Sequence, residues 1–437
     1  CRREEGDPGM RGQGEAAALD AALLAREAWL DRAGRRWSAL AHGSALAFVT
    51  MLYSNPMYWW PAFERARLGF LTMAVTAGAV VVHRLVSGER IRVGGWPTLF
   101  LFAYLAFIPL SLLWTLDVGA TLRQSVEAWK MLVIFLAVQS SVTTPSRLRR
   151  FLLVAALASL GPALGSIHVW WKGEALIEGY RTHWHAFYGD PNRLAMSLVA
   201  VMPFALYGAF TARRRAHRVL FAGVAGAQLA SIVLTHSRSG SIAAGVAAFL
   251  FLFRGQGGVA RGALAAAALA VAAGAFAPDT FWRRSSTLAH LEEDASVQGR
   301  EHAWQVLGVV VHERPLSGVG AGAFLAAWSR FAPLEAGGRH YVAHNLLLEV
   351  VGDLGILAFV LFATFAAWLL WKIWRTGRDP MVGREARALF AALAGYLVCE
   401  MVNGYSMSWF LYFLFACGAA SARLARTRAA LAAEAAS

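Results

Sequence analysis

The sequence predicts an all-α integral membrane protein with about twelve transmembrane helices and one long water-exposed loop. Two observations carry the prediction. Of 437 residues, 57% are hydrophobic and only 16% are charged, with a mean hydropathy of +0.47, a balance foreign to a water-soluble chain of this length. Apolar stretches approaching the roughly 20 residues that span a hydrocarbon core recur almost from end to end.

Residues 1–37 are basic and Ala-rich, and they hold no apolar run followed by a small-residue cleavage site, so no cleaved signal peptide is expected. Within them, residues 15–37 (EAAALDAALLAREAWLDRAGRRW) read as an amphipathic helix on the cytoplasmic interface, or else as a disordered leader. Apolar runs and breakers then place spans near 38–54, 68–86, 96–115, 120–140, 148–170, 193–212, 217–235, 239–254, 258–277, 344–374, 384–402 and 406–424. The chain thus divides into an N-terminal segment 1–37, nine helices in 38–277, a loop 278–343, three helices in 344–425 and a tail 426–437. The ninth span is built of small residues, which let backbones approach closely in lipid, and it is expected in the interior. Trp59, Trp60, Trp96, Trp114, Trp170, Trp171, Trp371 and Trp374 fall near span ends, where an indole settles at the headgroup level.

An even number of spans returns both termini to one side, and charge decides which. With the N-terminus cytoplasmic, 27 of the 41 Lys and Arg residues lie on that face; six of the remaining 14 belong to the long loop, which counts little in the positive-inside rule. Both termini are therefore expected in the cytoplasm. The net charge of +14 is an orientation signal, which removes the nucleic-acid reading that so basic a chain would otherwise invite. Two of the three cysteines, Cys399 and Cys417, sit in apolar stretches, which excludes a disulfide framework or zinc cluster. No internal repeat relates the two halves, as many transporters would require.

Four polar clusters share the extracytoplasmic face. They are Gly189-Asp190-Pro191-Asn192-Arg193, Thr235-His236-Ser237-Arg238-Ser239-Gly240, Gln298-Gly299-Arg300-Glu301 with Trp304, and His340-Tyr341-Val342-Ala343-His344-Asn345. Arg193 and Arg238 open spans on the face that usually lacks positive charge, so each guanidinium needs a partner. A phosphate matches its bidentate donors; Asp190 or lipid headgroups would serve as well. His344 titrates near neutrality and at a cavity mouth would take a proton from an attacking hydroxyl, although a histidine in a membrane loop is more often a satisfied polar residue.

His340 and His344 have the spacing of helical metal ligands, but Tyr341 stands where a zinc protease carries its glutamate, and no Cys or paired carboxylate completes a site. No metal is expected. Gly318-Val319-Gly320-Ala321-Gly322 has no Lys-Ser or Lys-Thr behind it and reads as a flexible turn, not a nucleotide loop. Arg123, Glu127 and Lys130 share one helical face, either as a structural ion pair or as substrate contacts. Glu400 and Asn403 present the same alternatives.

In content and order these clusters resemble the O-antigen ligase and polymerase superfamily of bacterial envelope glycosyltransferases, and the O-antigen ligases in particular. The resemblance rests on Asn192-Arg193-Leu194-Ala195, Ser237-Arg238-Ser239-Gly240, Arg300 with Trp304, and Pro315-Leu316-Ser317-Gly318-Val319-Gly320. It continues with His344-Asn345 followed by Glu349, Gly352 and Gly355. It covers about residues 185–360 by motif and the rest by hydropathy alone, and Asp353 falls where variable residues are expected.

The resemblance implies a GT-C-like fold in the Gram-negative inner membrane, with a periplasmic loop acting as a lid between helices nine and ten. It implies transfer of O-antigen polysaccharide from undecaprenyl diphosphate to a sugar hydroxyl of lipid A-core, with inversion and with neither metal nor cofactor. The implied partners are these two glycolipids and the surrounding lipids. His344 would be the base, Arg300 and Arg238 would act with it, and Arg193, Asn192, Asp190, Asn345 and His340 would bind diphosphate or glycan. An O-antigen or exopolysaccharide polymerase and a protein O-oligosaccharyltransferase carry the same motifs; a polysaccharide flippase is the alternative from another class.

Overall fold

The computed structural model describes residues 8–56, 60–89, 95–253, 274, 277–286, 295–332 and 340–434, and among these the regular elements are all helical, without a β-strand. In chain order the helices are α1 (Pro8–Ser54), α2 (Pro61–Arg65), α3 (Leu68–Val86), α4 (Thr98–Leu110), α5 (Val118–Ser141), α6 (Pro145–Ala158) and α7 (Leu160–Lys172). They continue with α8 (Pro191–Val199), α9 (Met202–Thr211), α10 (Arg215–Leu234), α11 (Arg238–Phe253), α12 (Asp279–Ser286) and α13 (Ala295–Glu313). Then come α14 (Phe324–Phe331), α15 (Leu346–Thr376), α16 (Gly383–Glu400) and α17 (Trp409–Glu434).

Five of the described helical stretches are long and apolar enough to cross a membrane: Leu68–Val86, Pro145–Lys172, Pro191–Thr211, Arg215–Leu234 and Leu346–Thr376. Thr98–Leu113 and Arg238–Phe253 are shorter apolar helices. This is a multi-pass membrane protein. Large apolar side chains point outward along its helices, with Leu85 76% and Leu113 79% exposed. Such surface would drive aggregation in water and is at home against acyl chains.

The helix boundaries follow from local chemistry. Asp117 caps α5 by accepting from the Ala120 N–H, and Thr144 caps α6 ahead of Pro145, whose missing N–H costs nothing at a first helical position. The stretch expected at 193–212 is interrupted at Ala200–Val201, just before Pro203. The leader expected as a separate helix over 15–37 is instead continuous with the first span in α1, because residues 15–54 contain no proline to interrupt it. The ninth expected span, 258–277, lies almost entirely outside the described residues.

One aromatic-rich core joins the bundle, with α1 against α3, α5 against α17, α4 against α15 and α11 against α16. The segment between α11 and α15 has a small core of its own, in which Ala303, Val306, Leu307 and Val310 of α13 meet Phe324, Trp328 and Phe331 of α14. It is fastened to the bundle at a break in α15. Gly355 there takes φ 80° and ψ 178°, which opens the helix so that its carbonyls turn outward. The Gly352 and Asp353 carbonyls accept from Val319 and Gly320, and the Ile356 N–H donates to Pro315. A Cβ on Gly355 would lie 2.3 Å from the Leu316 carbonyl, so the approach requires glycine.

The Asp353 carboxylate accepts from the amides of Gly322 (2.7 Å) and Phe324 (3.2 Å). The glycine-rich segment expected as a flexible turn is therefore a packed dock, and Asp353, which fell at a position expected to vary, is its fastening. Trp114 also belongs to the dock, not to the interface belt, since its indole donates to the Ser317 carbonyl at 2.8 Å.

Candidate active site

A cavity of about 800 Å³ opens between the α13–α14 segment and the ends of the bundle helices. Asp190, Asn192, Arg193, Arg238, Arg300 and His344 all line it, although they come from four separate parts of the chain. His340 and Asn345 do not. His340 is exposed and stacks on Trp328, ring centroids 5.7 Å apart. Asn345 is the N-cap of α15, accepting from the amides of Leu347 and Leu348, so its side chain is occupied in starting the helix and not in facing a ligand.

Asp190-Pro191 starts α8 as an N-cap followed by proline. The Asp190 carboxylate accepts from the amides of Asn192 and Arg193, which fixes those two side chains on the first turn. Because Asp190 is occupied there, it is not the ion partner of Arg193. The Arg193 guanidinium lies instead over the rings of Tyr405 (5.0 Å) and Phe187 (5.6 Å), and among the described residues it has no carboxylate partner. Stacking holds the plane of the fork while leaving its edge for an oxyanion.

Arg238 begins α11, directly after a turn in which His236 adopts φ 52°. The buried His236 ring bridges the Leu234 carbonyl and the Thr280 hydroxyl, both at 2.9 Å. Arg181 cross-links the two clusters. Its guanidinium donates to the Thr235 carbonyl (3.0 Å), Asn192 Oδ1 (2.9 Å) and Glu178 Oε1 (3.2 Å).

His344 sits at the end of a stretched approach. Trp328 donates its indole N–H to the Tyr341 carbonyl and Trp304 donates to that of Ala343, both at 3.0 Å. His344 itself adopts φ 48°, a backbone state that costs a non-glycine residue energy and persists only where its surroundings impose it. Arg300, one turn before Trp304 on α13, donates from Nη2 to the Val402 carbonyl at 3.3 Å. Burial holds the His344 imidazole below its ordinary pKa and the nearby Arg300 charge adds to the effect, partly offset by the Asn403 backbone and by Asp190. At neutral pH the ring is therefore neutral and able to accept a proton.

The carboxylates of the wall are engaged elsewhere. Glu178 pairs with Arg181, Asp190 caps α8, Asp353 holds the lid, and Glu349 accepts from Ser406. Glu127 pairs with Lys130 at 2.6 Å and accepts from the Trp409 indole, which favours the structural alternative for that helical face. Arg193, Arg238, Arg300 and His344 face the same cavity, and guanidinium groups beside an imidazole suit a polyanionic ligand.

Residues 223–363 match a family model described as O-antigen ligase. This segment is similar to the O-antigen ligase family. No curated protein matches the chain. The matched segment contains Arg238, the 315–322 dock, Arg300 and His344, whereas Arg193, Asn192, Arg181 and the turn after α16 lie outside it yet complete the same wall. Of these, Arg181 and Tyr405 were not singled out by sequence. Their signal was a second Arg and aromatic residues in short outer loops, visible only once those loops are known to meet.

Proposed function

We propose that this protein is an O-antigen ligase, transferring polysaccharide from undecaprenyl diphosphate to a sugar hydroxyl of lipid A-core at the periplasmic face of the inner membrane. The observation that carries the reading is that Arg193, Arg238, Arg300 and His344 line one cavity. In the proposed topology, about twelve spans of a GT-C-like fold leave both termini in the cytoplasm and residues 278–343 as the periplasmic lid.

The chemistry follows from the donor. A sugar on a lipid diphosphate already carries a good leaving group, so departure needs charge stabilisation more than acid. The acceptor oxygen attacks the anomeric carbon as the carbon–oxygen bond to the diphosphate breaks. His344 takes the hydroxyl proton, and the lipid diphosphate leaves as an anion against Arg193, Arg238 and Arg300. A single displacement inverts the anomeric centre.

The test is transfer by the purified protein from lipid-linked glycan to defined lipid A-core. A knockout separates the related reactions. Loss of a ligase leaves full-length polymer on the lipid carrier; single repeats on the carrier would instead identify a polymerase.

A further inference from the structure

The turn between α16 and α17 reaches Arg300, Asn345 and Arg193, which come from three separate parts of the chain. Its carbonyls hold parts of the site: Met401 accepts from Asn345 Nδ2 at 2.9 Å, next in the chain to His344, and Val402 accepts from Arg300 at 3.3 Å, while Asn403 lines the same cavity as His344. Two residues on, Tyr405 supplies the face on which Arg193 rests. Gly404 brings the turn against the start of α15. At φ 67°, its Cβ would fall 2.8 Å from the Asn345 amide nitrogen.

Two carboxylates hold this turn from below. Glu349 accepts from the Ser406 hydroxyl at 2.7 Å and from its amide at 3.3 Å. The buried Glu400 accepts from the Tyr405 amide at 2.8 Å. Glu349 lies five residues after His344, on the first turn of the helix that Asn345 caps, so the turn and the histidine are referred to the same rigid element.

We infer that Glu349 is a positioning residue: by holding Ser406 it fixes the Met401–Ser406 turn, whose carbonyls set His344 and Arg300 in register for transfer. The inference rests on the ligase reading. The charged and polar groups facing His344 are Arg300 of α13, Asp190 ahead of α8 and the Asn403 backbone. Releasing Arg300 from the Val402 carbonyl weakens a positive charge that disfavours the imidazolium, so the pKa rises and the acid limb of the rate profile moves to higher pH.

The experiment compares wild-type protein, Glu349→Gln and Glu349→Ala in lipid nanodiscs, reading amide exchange of the 401–406 peptide and the pH profile of glycan transfer. The Gln amide oxygen accepts both Ser406 bonds, so Glu349→Gln keeps wild-type exchange and the wild-type acid limb. Glu349→Ala speeds exchange, shifts the limb upward and lowers kcat about a hundredfold, the scale of an ångström-sized misplacement. Wild-type exchange or an unmoved limb in Glu349→Ala overturns the inference, as does equal loss of kcat in both variants with normal exchange. If the wild-type protein transfers no glycan while the exchange pattern holds, the ligase reading fails and the positioning of the turn stands.

Discussion

The indole of Trp304 donates to the carbonyl of Ala343 at 3.0 Å, so a lid helix holds the backbone one residue before His344. Arg300 lies one turn earlier on that helix. The Arg-then-Trp pattern is therefore one device: the arginine reaches the turn after α16, and the tryptophan reaches the approach to the histidine.

Trp304→Phe keeps the ring and deletes the donor. A hydrogen bond of this kind contributes about 1 kcal/mol, so transfer should fall about tenfold or less while the protein accumulates normally. Measuring kcat on equal amounts of purified protein tests this; unchanged kcat means the clamp does not position His344.

Arg193→Lys should weaken donor binding more than turnover. An ammonium neither stacks on Tyr405 in the same way nor offers a two-pronged edge to an oxyanion, and a charged hydrogen bond contributes about 1.5–3 kcal/mol. KM for lipid-linked glycan should rise tenfold or more. Wild-type KM would assign Arg193 to packing alone.

Arg300→Gln carries a sign as well as a size. The positive charge of Arg300 disfavours the His344 imidazolium, so its removal raises the His344 pKa and moves the acid limb of the rate profile to higher pH. In the wild-type protein that limb lies below the ordinary histidine value of about 6.5. A limb that stays in place or moves downward contradicts the arrangement.

Gly355→Ala forces a methyl group against the Leu316 carbonyl at a backbone angle that L-residues avoid. Overpacking of this sort costs about 1–3 kcal/mol. The variant should lose thermal stability and expose the 314–324 segment to protease; wild-type proteolysis would show that the dock tolerates loosening.

The sequence revealed the membrane character, most helices and six residues that line the cavity, Asp190, Asn192, Arg193, Arg238, Arg300 and His344, because hydropathy reports on the solvent and polar clusters in a membrane chain tend to be gathered at one site. It did not reveal what each polar residue does. Asn345 looked like a ligand and is a helix cap, since both roles call for the same side chain at the same kind of boundary. Gly318–Gly322 looked flexible because glycine serves mobility and close packing alike; only the break at Gly355, to which it docks, distinguishes them. Arg181 and Tyr405 were hidden because their value lies in contacts to Asn192 and Arg193, distant in sequence.

The central claim is that His344 removes the acceptor proton. The direct measurement is single-turnover transfer by His344→Ala at equal occupancy with lipid-linked glycan. The account predicts unchanged donor binding with a rate lower by about 10²–10⁴, the usual contribution of a general base. Transfer at the wild-type rate would contradict it.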